Sequence, residues 1–295
     1  MIYLFVFYFG RLPNYFPAYL ESVQRNKCIH VIFITDCVVP AIADNVTVKS
    51  CDINDVRRRL GHFLRRPAAS LIPHPRKLCD VRVVSTHIYA DVLSALGVRP
   101  EDHVGFGDVD VIYGNIDKYY SFAHGTMRAL QTYEVIGLHG HFCCIRYSSD
   151  IWKKMLAPPF VSMLQSCLSE AKNTILDEGA FRAFVMQHGG LYVGALPPPG
   201  KWQCCMGVKN TGIVAELLFN GHVVNLMSVR SDSLVIKESA RLPSSACVVR
   251  FDSNGMFVDG CEVMYMHLHY VKNVSFFARG SKQLEVHQGR TMLLS

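Results

Sequence analysis

The opening of the chain restricts the fold more than any other stretch. YLFVFYF (3–9) is an apolar run of strand length, PNYFPAYLESVQRN (13–26) has helical spacing, and HVIFITD (30–36) is a second strand ending on polar residues. A strand, a helix and a strand in close succession form a β-α-β unit. Such units build parallel sheets whose ligands gather at the carboxyl ends of the strands. The fold expected is therefore α/β, with a mixed, mainly parallel Rossmann-like sheet flanked by helices. The first apolar run is about nine residues, has no basic leader and breaks at Gly10, Arg11 and Pro13. It suits neither a secretory signal nor a membrane span, and reads as a buried first strand.

The alternation continues. NVTVKSCD (45–52) reads as a third strand and INDVRRRLGHFL (53–64) as a basic helix. RRPAASLIPHPRKLCD (65–80), with three prolines, is an irregular connection, and THIYADVLSAL (86–96) returns to helical spacing. DHVGFGDVDVIYGN then runs as strand, acidic turn and short strand. Further on, YEVIGLHGHFCCIRYS (133–148) gives one or two strands, IWKKML and FVSMLQSCLSEA are helical, and LDEGAFRAFVMQHG (176–189) is an amphipathic helix. GALPPPGKW (194–202) is a loop. CVVRFDSNGMFVDG (247–260) is a C-terminal hairpin turning at Asn254-Gly255, and EVMYMHLHYVKN (262–273) alternates so that His267 and His269 share a strand face. One domain accounts for the chain, in two halves, residues 1–116 and 117–295.

Half of the 295 residues are hydrophobic, enough for a full core, and the formal net charge of +6 is spread along the chain. Its densest basic cluster is VRRRLGHFLRR (56–66). That suits small anions or a mildly basic surface; no nucleic acid partner is expected, because a stronger basic stripe would accompany one. The eleven cysteines lack zinc-site spacing and read as mostly buried free thiols, which fits a reducing, cytoplasmic setting.

Asp108 and Asp110 sit one residue apart inside an apolar run, where uncompensated charge costs several kcal/mol per group, about 3–5 on removal of a partner. Either they cap a turn, or they face a divalent cation at the mouth of the sheet. Mg²⁺ and Mn²⁺ favour such an arrangement, sitting between one or two carboxylates and a substrate diphosphate.

The order FVFYFGRLPNYFPAYLESVQRN, VIFITD, RKLCDVRV, HVGFGDVDVIYGNI, GHFCCIRYS, LDEGAFRAF and HLHYVK resembles the small GT-A-fold glycosyltransferases, compact D-x-D enzymes associated with polysaccharide assembly. The resemblance is collinear over most of the chain; the loops at 65–76 and 194–246 depart from it. It implies a metal-dependent glycosyltransferase moving a sugar from a nucleotide diphosphate sugar to a glycan or other hydroxyl acceptor, by inversion, with Mn²⁺ or Mg²⁺ as cofactor. Asp108 would lie near the ribose or the metal and Asp110 on the metal. His269 would complete the metal shell, with His267 as its substitute, and Lys272 would bind the diphosphate. Phe9, Gly10 and Arg11, with Thr35 and Asp36, would contact the nucleotide, and Lys77 and Asp80 would lie near the nucleotide and diphosphate. His139, Gly140 and His141 would line the acceptor or donor-sugar pocket. Asp177, or failing it Glu178, would be the general base, unless the pair merely caps a helix. Two other classes compete with this reading: a metal-dependent nucleotidyltransferase or phosphatase, and a noncatalytic glycan- or nucleotide-binding protein on a degenerate transferase fold.

Overall fold

The computed structural model describes residues 1–13, 15–40, 43–122, 129–170, 176–177, 179–190 and 192–193, and between 216 and 293 the backbone of ten short strands with the Tyr265 side chain. The opening unit forms as its pattern demands: β1 (Ile2–Tyr8), α1 (Phe16–Arg25) and β2 (Ile29–Thr35), followed by β3 (Val46–Ser50) and α2 (Ile53–Leu64). A capping box starts α2 where the sequence places it. The Asp52 carboxylate accepts from the backbone N–H groups of Asn54 and Asp55 at 2.8 and 2.9 Å, and that of Asp55 accepts from the Asp52 N–H at 3.0 Å.

The stretch 75–95 is more broken than helical spacing suggests. Short helical turns lead through α3 (Leu78–Val81) into α4 (Ser85–Ile88) and α5 (Ala90–Ala95). The helix breaks at Tyr89, whose buried ring packs on Phe5 and Phe7 with the Arg59 guanidinium 4.7 Å from its centroid. After β4 (His103–Gly107), β5 (Val111–Tyr113) and α6 (Ile116–Tyr120) come the antiparallel pair β6 (Val135–His139) and β7 (Phe142–Arg146). Then follow α7 (Asp150–Lys154), α8 (Pro158–Ser169), α9 (Ala180–His188) and β8 (Tyr192–Val193).

The main sheet has the order β3-β2-β1-β4-β7-β6-β8, and every strand but β7 runs the same way. A mixed, mainly parallel sheet results, with helices on both faces. One core layer joins α1, β5 and α6 to the side chains of Leu4, Val6 and Phe33; the other joins α2 to α5 and α7 to α9 to Phe5, Ile34 and Phe106. Gly105 makes the antiparallel insertion of β7 feasible: a Cβ there would stand 1.8 Å from the Cys143 carbonyl oxygen.

The C-terminal hairpin forms between Cys247–Asp252 and Gly255–Val258, with Asp252 opposite Gly255; its two linking residues lie outside the described residues. The single alternating strand expected over 262–273 is instead divided. Cys261–Val263 stays with the hairpin sheet, while Tyr265–His267 pairs antiparallel with β5. Tyr265 is fully buried against His141 and Phe142, and that burial ties its strand to the main body. The loop expected at 194–202, His269 and Lys272 fall outside the described residues. The seven cysteines whose side chains are described are all free thiols; Cys143 and Cys144 are buried, while Cys79 is exposed, so burial is less general than expected. No helix among the described residues is long and apolar enough to cross a membrane.

His103, at the start of β4, is fully buried, with its ring nitrogens 2.8 Å from the Tyr133 carbonyl oxygen and 3.3 Å from the Tyr120 hydroxyl. Burial pushes its pKa down to about 4. An unfolded histidine titrates near pH 6.5, so on acidification the unfolded chain takes up the proton first, and stability falls between about pH 6.5 and about pH 4. The expected loss from this group is roughly 3 kcal/mol. Urea unfolding of the protein and of His103→Gln at both ends of that window checks it. The variant is less stable at neutral pH, and the gap narrows in acid; an unchanged gap excludes His103 as the acid-sensitive group.

Candidate functional site

Because β1, β2 and β4 are parallel, their carboxyl ends share one edge of the sheet, and β7 begins there because it runs the other way. That edge collects Phe9, Gly10 and Arg11, then Thr35 and Asp36, then Asp108 and Asp110, and the Gly140–His141 turn between β6 and β7. Asp36 accepts a hydrogen bond from the Gly10 N–H at 2.8 Å, which ties the ends of β1 and β2 together. Gly10 has φ +97°, a conformation that favours glycine, so it serves the turn directly. Thr35 is buried and its hydroxyl accepts from the Cys37 N–H at 2.9 Å, whereas Asp36 and Arg11 are exposed and Phe9 is half-buried.

The acidic turn is positioned from both sides. The Asp108 N–H donates to the His141 carbonyl at 3.1 Å, and the Asp108 carbonyl accepts from the Val111 N–H at 3.3 Å. Gly107 admits the Tyr113 hydroxyl beneath the turn, 3.0 Å from where a Cβ would stand. The hydroxyls of Tyr19 and Tyr113 are buried without hydrogen-bond partners among the described residues. Burial first, and the nearby Asp108 and Asp110 carboxylates next, raise the pKa of Tyr19; the same causes, with Asp110 foremost of the charges, raise that of Tyr15. The acid pair thus lies over a floor of neutral phenols.

Its other neighbour is a cation that sequence reasoning passed over. Arg82, 7 % exposed, donates from one guanidinium nitrogen to Asp108 and from two others to Oδ2 of Asp177, the Nε contact measuring 2.9 Å. Its guanidinium carbon also lies 5.4 Å from the Phe106 ring centroid. Burial opposes the charge, but the carboxylates of Asp108 and Asp177 outweigh it and raise the pKa. The signal was present in RKLCDVRV, a short segment with charged residues spaced among apolar ones, but which of them would pair with the distant acids was not.

Asp177 is likewise buried, at 4 % exposed. It does not cap the helix that follows: α9 begins only at Ala180 and its N-cap is Gly179, without a side-chain cap. The helix expected over 176–189 therefore begins later, at Ala180, and the Asp177 carboxylate is paired with Arg82. Glu178 falls outside the described residues.

Lys77 and Asp80 form a brace behind this ion pair. Neither is more than 1 % exposed. The Lys77 ammonium donates to the Cys167 carbonyl at 2.6 Å and lies 3.4 Å from Asp80, while Asp80 accepts from the Leu176 N–H at 2.9 Å. These bonds make an internal link from α3 to the segment carrying Asp177. His141 is buried with its ring 3.3 Å from the Tyr265 hydroxyl, so it joins β7 to the C-terminal strand; the His139 backbone ends β6, and its side chain is outside the described residues. Antiparallel pairing sets His267 opposite Val111, next to Asp110.

All of these parts except the strand Tyr265–His267 lie within residues 4–193, which match the model of a family of unknown function, DUF6625. The chain belongs to that family. The match begins in β1 and ends in β8, so the main sheet, the acidic turn and the Arg82 bridge fall within the family's span. No curated protein matches the chain.

Two carboxylates at a sheet edge fit Mg²⁺ or Mn²⁺, which take one or two protein carboxylates and draw the rest of their shell from water and phosphate oxygens. Among the described residues, no three His, Cys, Asp or Glu side chains converge as a self-sufficient metal cage. With Arg82 already on Asp108, Asp110 is the better placed of the two to be a direct ligand.

Proposed function

We propose that this chain is a metal-dependent glycosyltransferase of GT-A type, moving a sugar from a nucleotide diphosphate sugar to a glycan or other hydroxyl acceptor with inversion, in the cytoplasm. The observation that carries the reading is the Arg82 bridge. It links a carboxylate of the D-x-D turn to a buried carboxylate 69 residues later in the chain, at the carboxyl edge of a mainly parallel sheet. A purely structural acid pair has no need of that edge.

In this reading Asp110, beside Asp108 and with His269 as a further ligand, would hold Mn²⁺ or Mg²⁺, whose charge offsets that of the departing nucleoside diphosphate. Phe9, Gly10, Arg11 and Asp36 would border the nucleotide, and Lys272 would contact the diphosphate. Asp177, oriented by Arg82, would accept the proton of the acceptor hydroxyl as its oxygen bonds to the anomeric carbon and the bond to the leaving phosphate breaks.

The test is release of nucleoside diphosphate from a panel of nucleotide sugars with Mn²⁺, without and then with acceptor glycans. Release that needs the metal supports the transferase. Pyrophosphate released from nucleoside triphosphates would instead indicate a nucleotidyltransferase, and no turnover of either would leave a noncatalytic binding protein.

Asp110→Asn provides a sharper check. Removing one of two neighbouring carboxylates relieves repulsion, so the melting temperature is expected to hold or rise. Stabilisation by nucleoside diphosphate plus Mn²⁺, which follows from mass action, should disappear. A variant that gains as much stability from the two ligands as the parent does would overturn the metal assignment.

A further inference from the structure

The densest basic cluster in the sequence plays no part in the site above. Arg58 and His62, four residues apart, share one face of α2, and Arg65 and Arg66 follow just beyond its last residue, Leu64. Their neighbours are used internally. Arg57 donates to the carbonyls of Leu71 and Ile72 at 3.2 and 2.7 Å, and Arg59 holds Asp91 in a two-bonded pair at 2.8 and 3.0 Å. Arg58 pairs with Asp55 at the surface, its single ion-pair partner among the described residues. The side chains of Arg65 and Arg66 have no partner among the described residues and are exposed, as is His62.

The backbone brings these groups around a concavity. Arg65 ends α2 in the left-handed conformation with φ 53°, and the chain folds back so tightly that a Cβ on Gly61 would stand 2.8 Å from the Arg66 carbonyl oxygen. The resulting open groove of about 750 Å³ is lined by Arg58, Gly61, His62, Arg65 and Arg66, with Phe63 among its walls. Because α2 leaves the carboxyl end of β3 and rises about 1.5 Å per residue, its last turn lies roughly 18 Å along the helix from that edge. The groove is therefore separate from the acidic turn.

We propose that this groove is a second site, binding a phosphate-bearing anion through Arg58, Arg65 and Arg66, with His62 beside them. Guanidinium groups offer paired donors matched to phosphate oxygens, and several converging on one concavity repel one another until an anion arrives. The phosphate belongs either to a small soluble anion or to a lipid headgroup, and the chemistry of recognition is the same for both.

The experiment uses the full chain with a chelator present, so that no divalent cation takes part. One arm measures binding of inorganic pyrophosphate by thermal shift and calorimetry; the other measures sedimentation with vesicles of phosphatidylglycerol in phosphatidylcholine, against phosphatidylcholine alone. The parent is expected to respond in one arm, and that arm identifies the source. Arg65→Gln/Arg66→Gln, both at exposed positions, should weaken the response about tenfold or more, and raised salt should weaken it in the parent. No response in either arm, or a response undiminished in the double variant, overturns the proposal. Asp110→Asn should bind as the parent does, so failure of the transferase reading leaves this result unaffected.

Discussion

Replacement of Arg82 by methionine is expected to destabilise the fold by about 3–5 kcal/mol, the usual cost of removing one partner from a buried ion pair. Both of its carboxylates would lose the Arg82 charge. Asp177 contributes most of the loss because its side chain is only 4 % exposed, whereas that of Asp108, at 33 %, can recover hydration. Methionine keeps much of the contact with Phe106, so the effect isolates charge from packing. Urea unfolding measures it. Arg82→Met/Asp177→Leu should recover a large part of the stability, because position 177 then holds no buried carboxylate. A single variant as stable as the parent would show that the bridge is not formed in solution. Arg82→Lys should fall between, since a point charge cannot reproduce the fork that serves two acids.

Asp177→Asn is expected to lower acceptor-dependent transfer about 10²-fold or more, the scale of a lost general base. From the sequence, the substitution appears harmless to the fold, because asparagine caps helices as well as aspartate does. The structure changes that expectation. Asp177 is not the cap of α9, and its partner is a buried guanidinium, so stability should fall by an amount comparable with the Arg82 variant. The two effects are separable by assaying well below the variant's unfolding midpoint and by measuring donor binding. If Asp177 acts on the acceptor, transfer falls while donor binding persists. Equal loss of both would make Asp177 a positioning residue for Asp108, acting through Arg82. Full transfer activity would remove it as base and turn attention to Glu178.

Much of the framework was legible in the linear sequence because it rests on local physics. The alternation of the first 36 residues predicts β1, α1 and β2, and the helical reading of 53–64 coincides with α2. Asp108 and Asp110 stood out because charge inside an apolar run demands compensation. Only the tertiary structure decided what compensates it. Arg82 reaches Asp108 and Asp177 from 26 and 95 residues away, and no periodicity carries information over such distances. The same holds for Lys77, which as sequence lies in an irregular connection and as structure is wholly buried on Cys167 and Asp80. It holds again for Tyr265, whose burial against His141 draws one half of an alternating run into the main body and leaves the other half with the hairpin. Hydrophobic spacing specifies which face of an element is covered, but pairing among buried charges depends on which elements the fold brings together.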